Sequence, residues 1–225
     1  ALMLRPGLPL SGTTLTAVAR LCSLLEGNPL AIEIAAARVN VLSPPRMCAE
    51  IARRREWLQR NHPDIPERHH SLWASMEWSY NLLSSPQQEL LTALSVFRNG
   101  WSLDAAAEVC ELPLSSLLDR LQALVECSLV QSVDGRDGEL RFLLLESLQE
   151  FAAARLEPDR GAIAAAHHEA YYTAFARQAA EALQGQEEGT WLHKLEEERG
   201  NFQAIFTRGG GHELAVSLHR YWLIR

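Results

Sequence analysis

The period of the apolar residues changes only once along the 225 residues, and that change constrains the fold more than any other feature. Over most of the chain, apolar residues recur every three to four positions, which is the spacing of an amphipathic helix. Around Asp134–Gly138, two short apolar runs flank a turn rich in aspartate and glycine. That pattern is typical of a β-hairpin. The chain is therefore expected to be mainly α, with one small β-hairpin.

Helix-start signals place three helices ahead of this hairpin. A serine followed by Pro86 opens the first helix, Ser102 opens the second, and Pro113 with Ser115 opens the third. Three helices followed by a hairpin are the arrangement of a winged-helix domain. We predict this domain over residues 68–156, with one more helix directly after the hairpin.

Helical regions are also predicted on both sides of this domain. In residues 1–60, Gly27-Asn28-Pro29 ends one helix and begins the next, as expected for a helical bundle. Residues 60–70 are rich in proline and histidine and are predicted to be a loop. Residues 162–225 are predicted to form antiparallel α-hairpins that resemble the units of a tetratricopeptide (TPR) type array, although a plain helical bundle fits the pattern as well.

The charge balance argues against a DNA-binding surface. The net charge is −7, and the predicted recognition helix Ser115–Glu126 exposes Ser116, Asp119, Arg120, Gln122 and Glu126, two acids against one base. Such a face is repelled by phosphates, so direct DNA contact is disfavoured. No apolar run reaches the roughly 18–20 residues of a membrane helix, so no membrane partner is expected. Four widely spaced cysteines indicate free thiols in a reducing cytoplasm.

Motifs for catalysis and metal binding are missing from the sequence. There is no G-x-x-x-x-G-K-[ST], no H-E-x-x-H and no G-x-S-x-G. His167 and His168 are adjacent, and neighbours on a helix do not face each other, so a two-histidine metal clamp is not expected. The acidic run Glu196–Glu198 is expected to be a solvated helix face. We therefore expect no catalytic residue, no metal site and no enzyme activity in this chain.

Several segments, in this order and spacing, resemble a known family. They are Leu24–Arg38, Arg68–Leu83, Leu94–Ala106, Leu121–Leu129, Arg141–Ala152 and Trp191–Ala204. Together they resemble bacterial STAND-class signalling ATPases of the LuxR- or AfsR-like regulator type, which carry an NB-ARC-like nucleotide module. The resemblance covers nearly the whole chain. It implies an ARC-like helical lid at 1–60, the winged helix at 68–156 and the start of a TPR-like sensor array at 162–225.

The resemblance also implies a nucleotide site and a set of partners. Gly27, Pro29 and Leu30 would line the adenine of ADP or ATP, which binds only together with an upstream NTPase core. Leu145 and Glu146 match a Met-His-Asp motif that reads the ADP phosphate in related switches, but Leu145 cannot donate the hydrogen bond of the histidine. The implied partners are that upstream core and a protein or small-molecule inducer on the C-terminal helices. Any ATPase activity would belong to the parent protein.

Functions of three classes follow from these features. The leading hypothesis is the regulatory part of a STAND-type ATPase or transcription regulator, which helps to hold ADP and couples a helical sensor array to a nucleotide-dependent switch. The alternatives are a winged-helix DNA-binding regulator and a TPR-like protein-interaction scaffold. Salt-dependent DNA binding would favour the first alternative.

Overall fold

The structure, a computed structural model, describes residues 12–25, 27–39, 41–61, 70–135 and 138–224. The chain divides into two compact units. Unit 1 comprises Ala1–Gln88 and Gln122–Leu129, and unit 2 comprises Glu89–Leu121 and Val130–Arg225. Within the described residues, no helix is long and apolar enough to cross a membrane.

The described residues of unit 1 include the helices α1 (Gly12–Leu24), α2 (Pro29–Ala37), α3 (Pro44–Asn61) and α4 (His70–Asn81). Residues 122–126, which end a later helix, also belong to this unit. The break between α1 and α2 lies where the sequence predicts it, at Gly27-Asn28-Pro29. Asn28 caps α2, because its Oδ1 accepts a hydrogen bond from the backbone N–H of Ala31 at 3.1 Å, and Pro29 occupies the first helical position. α3 packs against α1 and α4, and α2 packs against α4. The predicted loop at 60–70 falls mostly outside the described residues.

A buried arginine fastens the end of α2 to α4. Arg38 Nε and Nη2 donate to the Ser79 hydroxyl, both at 3.1 Å, and Nη2 also donates to the Ser79 carbonyl at 3.0 Å. Ser75 on the same helix donates its hydroxyl to the Ala31 carbonyl at 3.2 Å. Burial lowers the pKa of Arg38. These bonds satisfy polar groups in an interior otherwise made of apolar side chains, such as Ile34, Met47 and Ile51.

The second half of the chain alternates short helices with a small sheet. Its elements are α5 (Ser85–Ala93), a 3-10 turn (Leu94–Val96), β1 (Trp101–Ser102), α6 (Leu103–Val109), α7 (Leu114–Glu126), β2 (Gln131–Asp134), β3 (Leu140–Leu143) and α8 (Glu146–Ala153). The sheet has the order β1-β3-β2, and both pairings are antiparallel. Val133 lies opposite Arg141 in the predicted hairpin.

The strand β1 is not predicted by the sequence pattern. Trp101 pairs with Phe142, and Ser102 pairs with Arg141. Two residues are too few to show an alternation of apolar and polar side chains. Gly100 precedes the strand with φ +93°, and a Cβ there would lie 2.7 Å from the carbonyl oxygen of Phe142, so glycine lets the chain approach β3 closely.

Five helices complete unit 2, namely α9 (Pro158–Ala182), α10 (Glu188–Glu197), α11 (Arg199–Thr207), α12 (His212–Ser217) and α13 (His219–Ile224). The sequence pattern predicts single helices over 189–206 and 213–224, but the structure interrupts them at Glu198 and Leu218. α9 is the central helix, because α6, α10, α11 and α12 all pack against it.

The predicted fold class is confirmed. The described residues are mainly helical, with a small three-stranded sheet in a winged helix-turn-helix arrangement. The boundaries at 1–60, 68–156 and 162–225, and the ARC-like and TPR-like names for the outer regions, stay predictions.

Candidate nucleic-acid interface

Helices α6 and α7 are joined by a tight turn at residues 110–113. α6 begins where the Ser102 hydroxyl oxygen accepts a hydrogen bond from the backbone N–H of Ala105 at 3.2 Å. After it ends, Glu111 adopts a left-handed φ of +50°. Pro113 then lacks an N–H to extend the helix and precedes α7 directly. The result is a helix-turn-helix connection.

The outer face of α7 is polar, with two leucines. Leu117 and Leu121 are buried, whereas Ser116 and Arg120, predicted to be exposed, are half-buried. Gln122 donates to Glu126 Oε1 at 2.8 Å along the same face. The exposed residues are Leu114, Ser115, Leu118, Asp119, Gln122 and Glu126. Serine and glutamine can hydrogen-bond base edges, aspartate can accept from cytosine, and apolar side chains can contact the thymine methyl group.

The hairpin that follows forms the wing. Its turn closes where the backbone N–H of Gly135 donates to the Glu139 carbonyl at 2.7 Å. A Cβ at Gly135 would lie 2.6 Å from that oxygen, and Gly138 has φ +80°, so both glycines are needed for the turn. On β2, Ser132 and Val133 are exposed. Arg136, a basic residue in the sequence of this turn, lies outside the described residues.

The arginine of β3 points into unit 2 and not into solvent. Arg141 Nη1 donates to Glu198 Oε1 at 2.5 Å, and Glu198 is only 5% exposed. Burial alone lowers the pKa of Arg141, but the hydrogen bond and the charge of Glu198 outweigh burial and raise it. Tyr172 donates its hydroxyl to Glu198 Oε2 at 2.7 Å, and burial, together with this carboxylate, raises the tyrosine pKa. The expectation that Glu196–Glu198 is a solvated face is therefore wrong for Glu198.

Asn201 connects this carboxylate to the turn before β1. Its Nδ2 donates to Glu198 Oε2 at 2.7 Å and to the Gly100 carbonyl at 2.9 Å. Its Oδ1 accepts from the backbone N–H of Arg98 at 2.8 Å and lies 3.2 Å from His168 Nε2. The fully buried side-chain amide thus uses all of its hydrogen-bonding capacity.

His168 is held as a neutral imidazole by its two neighbours. Arg208 has no acceptor on its guanidinium, so Arg208 Nη2 must donate to His168 Nδ1, which lies 2.9 Å away. Nε2 therefore carries the proton and donates to Asn201 Oδ1. The pKa of His168 is lowered to about 4, mainly by burial and also by the positive charges of Arg208 and Arg98, against the opposing effect of the hydrogen bond to Asn201.

Sequence reasoning missed this buried network. One signal was available. His168 and Tyr172 are four residues apart, and Glu198 and Asn201 are three apart, so each pair shares a helix face. That spacing shows which residues share a helix face, but it does not show which faces are buried. The network joins the wing strand β3 to α9 and α11 inside unit 2.

The predicted adenine-binding turn lies at the surface of unit 1. Gly27 has φ +68°, and no atom lies within 4 Å of a Cβ built on it. Gly27 and Pro29 are exposed, and Leu30 is half-buried. The turn therefore exposes the pyrrolidine ring of Pro29 as a small apolar surface.

The other two predicted nucleotide residues lie at the start of α8 in unit 2. Leu145 is the N-cap residue of that helix and gives it no side-chain hydrogen bond, and Glu146 is its exposed first residue. Across the part of the chain that the structure describes, no group of three or more histidine, cysteine or acidic side chains is arranged to hold a metal ion. The assignment of Gly27, Pro29, Leu30, Leu145 and Glu146 to a nucleotide stays a prediction.

Comparison with known proteins finds a family model and several mycobacterial relatives. Residues 83–157 match the model described as a winged helix-turn-helix domain. The "Putative HTH-type transcriptional regulator Rv0890c" of Mycobacterium tuberculosis (strain ATCC 25618 / H37Rv) is 33% identical over 231 residues, which cover 98% of this chain and 26% of the relative. "Uncharacterized protein Rv0894" of the same strain is 32% identical over 156 residues, which cover 68% of this chain and 39% of the relative. The chain thus spans about a quarter of the length of the first relatives.

The expectation that direct DNA contact is disfavoured is wrong. The winged helix-turn-helix match and the relatives named as HTH-type regulators point to DNA binding. The net charge of −7 is a sum over all residues, whereas base readout depends on a few side chains of one helix. Ser115, Leu118 and Gln122 on the exposed face of α7 can make such contacts without charge.

The helix-turn-helix of α6 and α7, the three-stranded sheet with its wing and the family match over the same segment agree. Residues 83–157 of this chain form a winged helix-turn-helix domain.

Proposed function

We propose that this chain is the DNA-binding winged-helix part of a transcription regulator, in which α7 enters the major groove. The observation that carries the proposal is the winged helix-turn-helix domain at residues 83–157, together with relatives named as HTH-type regulators. In such domains the second helix of the motif contacts base edges, and its N-terminal residues lie deepest in the groove. Binding to a bacterial chromosome would place the chain in the cytoplasm.

The role of each part follows from the position of its side chains. On α7, the exposed Ser115, Leu118 and Gln122 would contact base edges, and Asp119 would accept from a cytosine amino group. The wing strand β3 would be held in place by the buried pair Arg141–Glu198. This function needs no catalytic residue. The expectation that the chain is not an enzyme agrees with the relatives' names as transcriptional regulators.

The first test is binding to DNA selected from a random-sequence duplex library, followed by fluorescence anisotropy with the selected duplex. Gln122→Glu adds a negative charge on α7, and Gln178→Glu adds the same charge on α9; both glutamines are exposed. We expect Gln122→Glu to weaken binding about tenfold or more, which is about 1.4 kcal/mol. Gln178→Glu should change it less than about twofold.

Failure to enrich any duplex would contradict the proposal. Equal binding by wild type and Gln122→Glu would contradict the assignment of α7 to the groove. Circular dichroism of both variants checks that they keep the helical fold.

The ADP lid of a STAND-type switch is a second candidate, and it is compatible with the first. It is supported by the exposed Pro29 at the start of α2, beside the left-handed Gly27. In a longer protein that contains this segment, the resemblance implies that the turn contacts adenine while an upstream core holds the phosphates. The C-terminal helices would then pass their movement to the nucleotide site.

Pro29→Ala tests this second candidate. Losing the flat pyrrolidine ring should weaken ADP binding by the longer protein about three- to tenfold, about 0.7–1.4 kcal/mol. Isothermal titration calorimetry measures the affinity, and chromatography of the denatured protein measures the nucleotide carried through purification. An unchanged ADP affinity would remove Pro29 from the site.

A further inference from the structure

A concave surface between the turn before β1 and helix α11 has no role in the function proposed above. It is an open depression of about 360 Å³ that lies wholly within unit 2, and Arg98 and Arg208 in its wall are both exposed. Its wall is polar and positively charged, and no carboxylate is part of it. The lining includes Arg98, Asn99, Gly200, Gln203, Thr207 and Arg208.

The two arginines of this cavity are fixed in place by neutral acceptors. Arg98 Nη1 donates to the carbonyls of Ser95 and Phe97, at 2.8 and 3.0 Å. Arg208 donates through Nη2 to His168 Nδ1 at 2.9 Å. Its Nη1 donates to the carbonyl of Val96 at 3.5 Å. Because these partners carry no charge, each guanidinium is oriented but not neutralised by them.

The positive charges of these two side chains are also close enough to oppose each other. Among the described residues, no salt bridge involves Arg98 or Arg208. The pKa of Arg208 is lowered, first by burial and then by the charge of Arg98, against an opposing effect of Glu169. That carboxylate already accepts from the backbone N–H of Gly211 at 2.7 Å. An anion in the cavity would relieve the repulsion between the two arginines.

The other polar groups decide what kind of anion fits. The Thr207 hydroxyl donates its proton to the Gln203 carbonyl at 2.8 Å, so it offers the cavity no donor. Gln203 is exposed and keeps its side-chain amide for a ligand. A Cβ on Gly200 would lie 2.7 Å from Asn99 Nδ2, so glycine lets Asn99 stay against α11. Two guanidinium groups with amide donors match the several oxygens of a phosphoryl group.

We propose that the cavity between the turn at Arg98–Asn99 and helix α11 binds a phosphoryl group of a small anion, held mainly by Arg98 and Arg208. The site is separate from the base-reading face of α7. It gives the regulator a second ligand, next to the buried contacts that hold α11 against the winged helix.

Isothermal titration calorimetry with pyrophosphate at low salt tests the site directly on the full chain. We expect saturable binding by wild type, weakened about tenfold or more by Arg98→Gln. Arg199→Gln also removes one arginine charge, but Arg199 lies outside the cavity, has a side chain 74% exposed and pairs with Glu196. This control should bind pyrophosphate as wild type does.

A second variant keeps every charge. Gly200→Ala would place a Cβ 2.7 Å from Nδ2 and 2.9 Å from Cβ of Asn99, so the turn must shift and pyrophosphate binding should weaken. Circular dichroism and thermal unfolding of Arg98→Gln guard against a general loss of structure. Two results would overturn the proposal. One is a wild-type chain that does not saturate with pyrophosphate, and the other is an equal loss in Arg98→Gln and Arg199→Gln.

Duplex DNA distinguishes the two sources of a phosphoryl group. If Arg98→Gln loses pyrophosphate binding and keeps the affinity for the selected duplex, the ligand is a small anion, as proposed. If duplex and pyrophosphate compete and both are lost together, the phosphoryl group belongs to the DNA backbone and the small-anion assignment is overturned. DNA binding without pyrophosphate binding would overturn this proposal alone and leave the winged-helix function intact.

Discussion

At the scale of single residues, the interior of unit 2 depends on polar groups whose hydrogen bonds are matched one by one. Asn201 bonds to four groups, and His168 gives and takes one bond. A buried amide with a missing partner costs about 1–3 kcal/mol, so such sites tolerate few substitutions. The consequence that can be measured most directly is the titration of His168.

We expect the free energy of unfolding to fall as the pH is lowered from about 6.5 to about 4, because of His168. Its pKa is about 4 when folded, below the ordinary 6.5, so the unfolded chain takes up the proton first and acid favours unfolding. The difference corresponds to about 3 kcal/mol, present in full above pH 6.5. Urea unfolding at a series of pH values measures it.

His168→Gln removes the titrating group and should flatten this part of the profile. His212→Gln, at an exposed position on α12, is the matched control and should leave the profile unchanged. An identical pH dependence in wild type and His168→Gln would contradict the assignment.

At the scale of elements, the break between α10 and α11 has a visible cause. Glu198 has φ −91° and ψ 2°, and its carboxylate accepts hydrogen bonds from Arg141, Tyr172 and Asn201. The residue that ends α10 is therefore the same residue whose carboxylate points inward toward β3. Its ion pair with Arg141 joins the wing strand to the C-terminal helices.

Glu198→Gln should lower the free energy of unfolding by about 3 kcal/mol, because it leaves the charge of Arg141 buried without its main partner. Hydrogen exchange of the β2 and β3 amides should become faster, since the pair joins β3 to the end of α10. Urea unfolding and exchange mass spectrometry measure the two effects. Glu188→Gln, at an exposed position on α10, should change neither quantity, and equal effects of both substitutions would refute the role of the ion pair.

At the scale of the whole molecule, the proposed binding to DNA has to rely on few phosphate contacts, because the net charge of the chain is −7. On the exposed face of α7, the ionised side chains are Asp119 and Glu126. Affinity for the selected duplex should therefore come largely from base contacts and less from counterion release.

We expect the logarithm of the binding constant, plotted against the logarithm of the salt concentration, to have a slope shallower than about −4. Each phosphate contact contributes about −0.9 to this slope. Anisotropy titrations at several sodium chloride concentrations give this slope. A slope near about −8 would show that a large basic surface meets the DNA, and would contradict the base-contact mechanism.

The extent to which the fold could be predicted differs between elements. The helix break at Gly27-Asn28-Pro29 and the hairpin around Asp134–Gly138 are local signals, and both appear in the structure. Strand β1 could not be predicted, because two residues form it only by pairing with β3. For the candidate site, the helical pattern predicts α7, but the charges of that helix and of the whole chain led to the wrong expectation about DNA contact.

Helix breaks, turns and the change of period at the hairpin have causes that lie within a few residues, so they can be predicted from the sequence alone. Which polar residues become buried partners depends on tertiary packing. Glu198 is one of three consecutive glutamates, and His168 is one of two adjacent histidines. Only the packing of α9, α11 and β3 decides that Glu198 and His168, and not their neighbours, make the buried hydrogen bonds. Burial and hydrogen bonding here depend on residues far away in sequence.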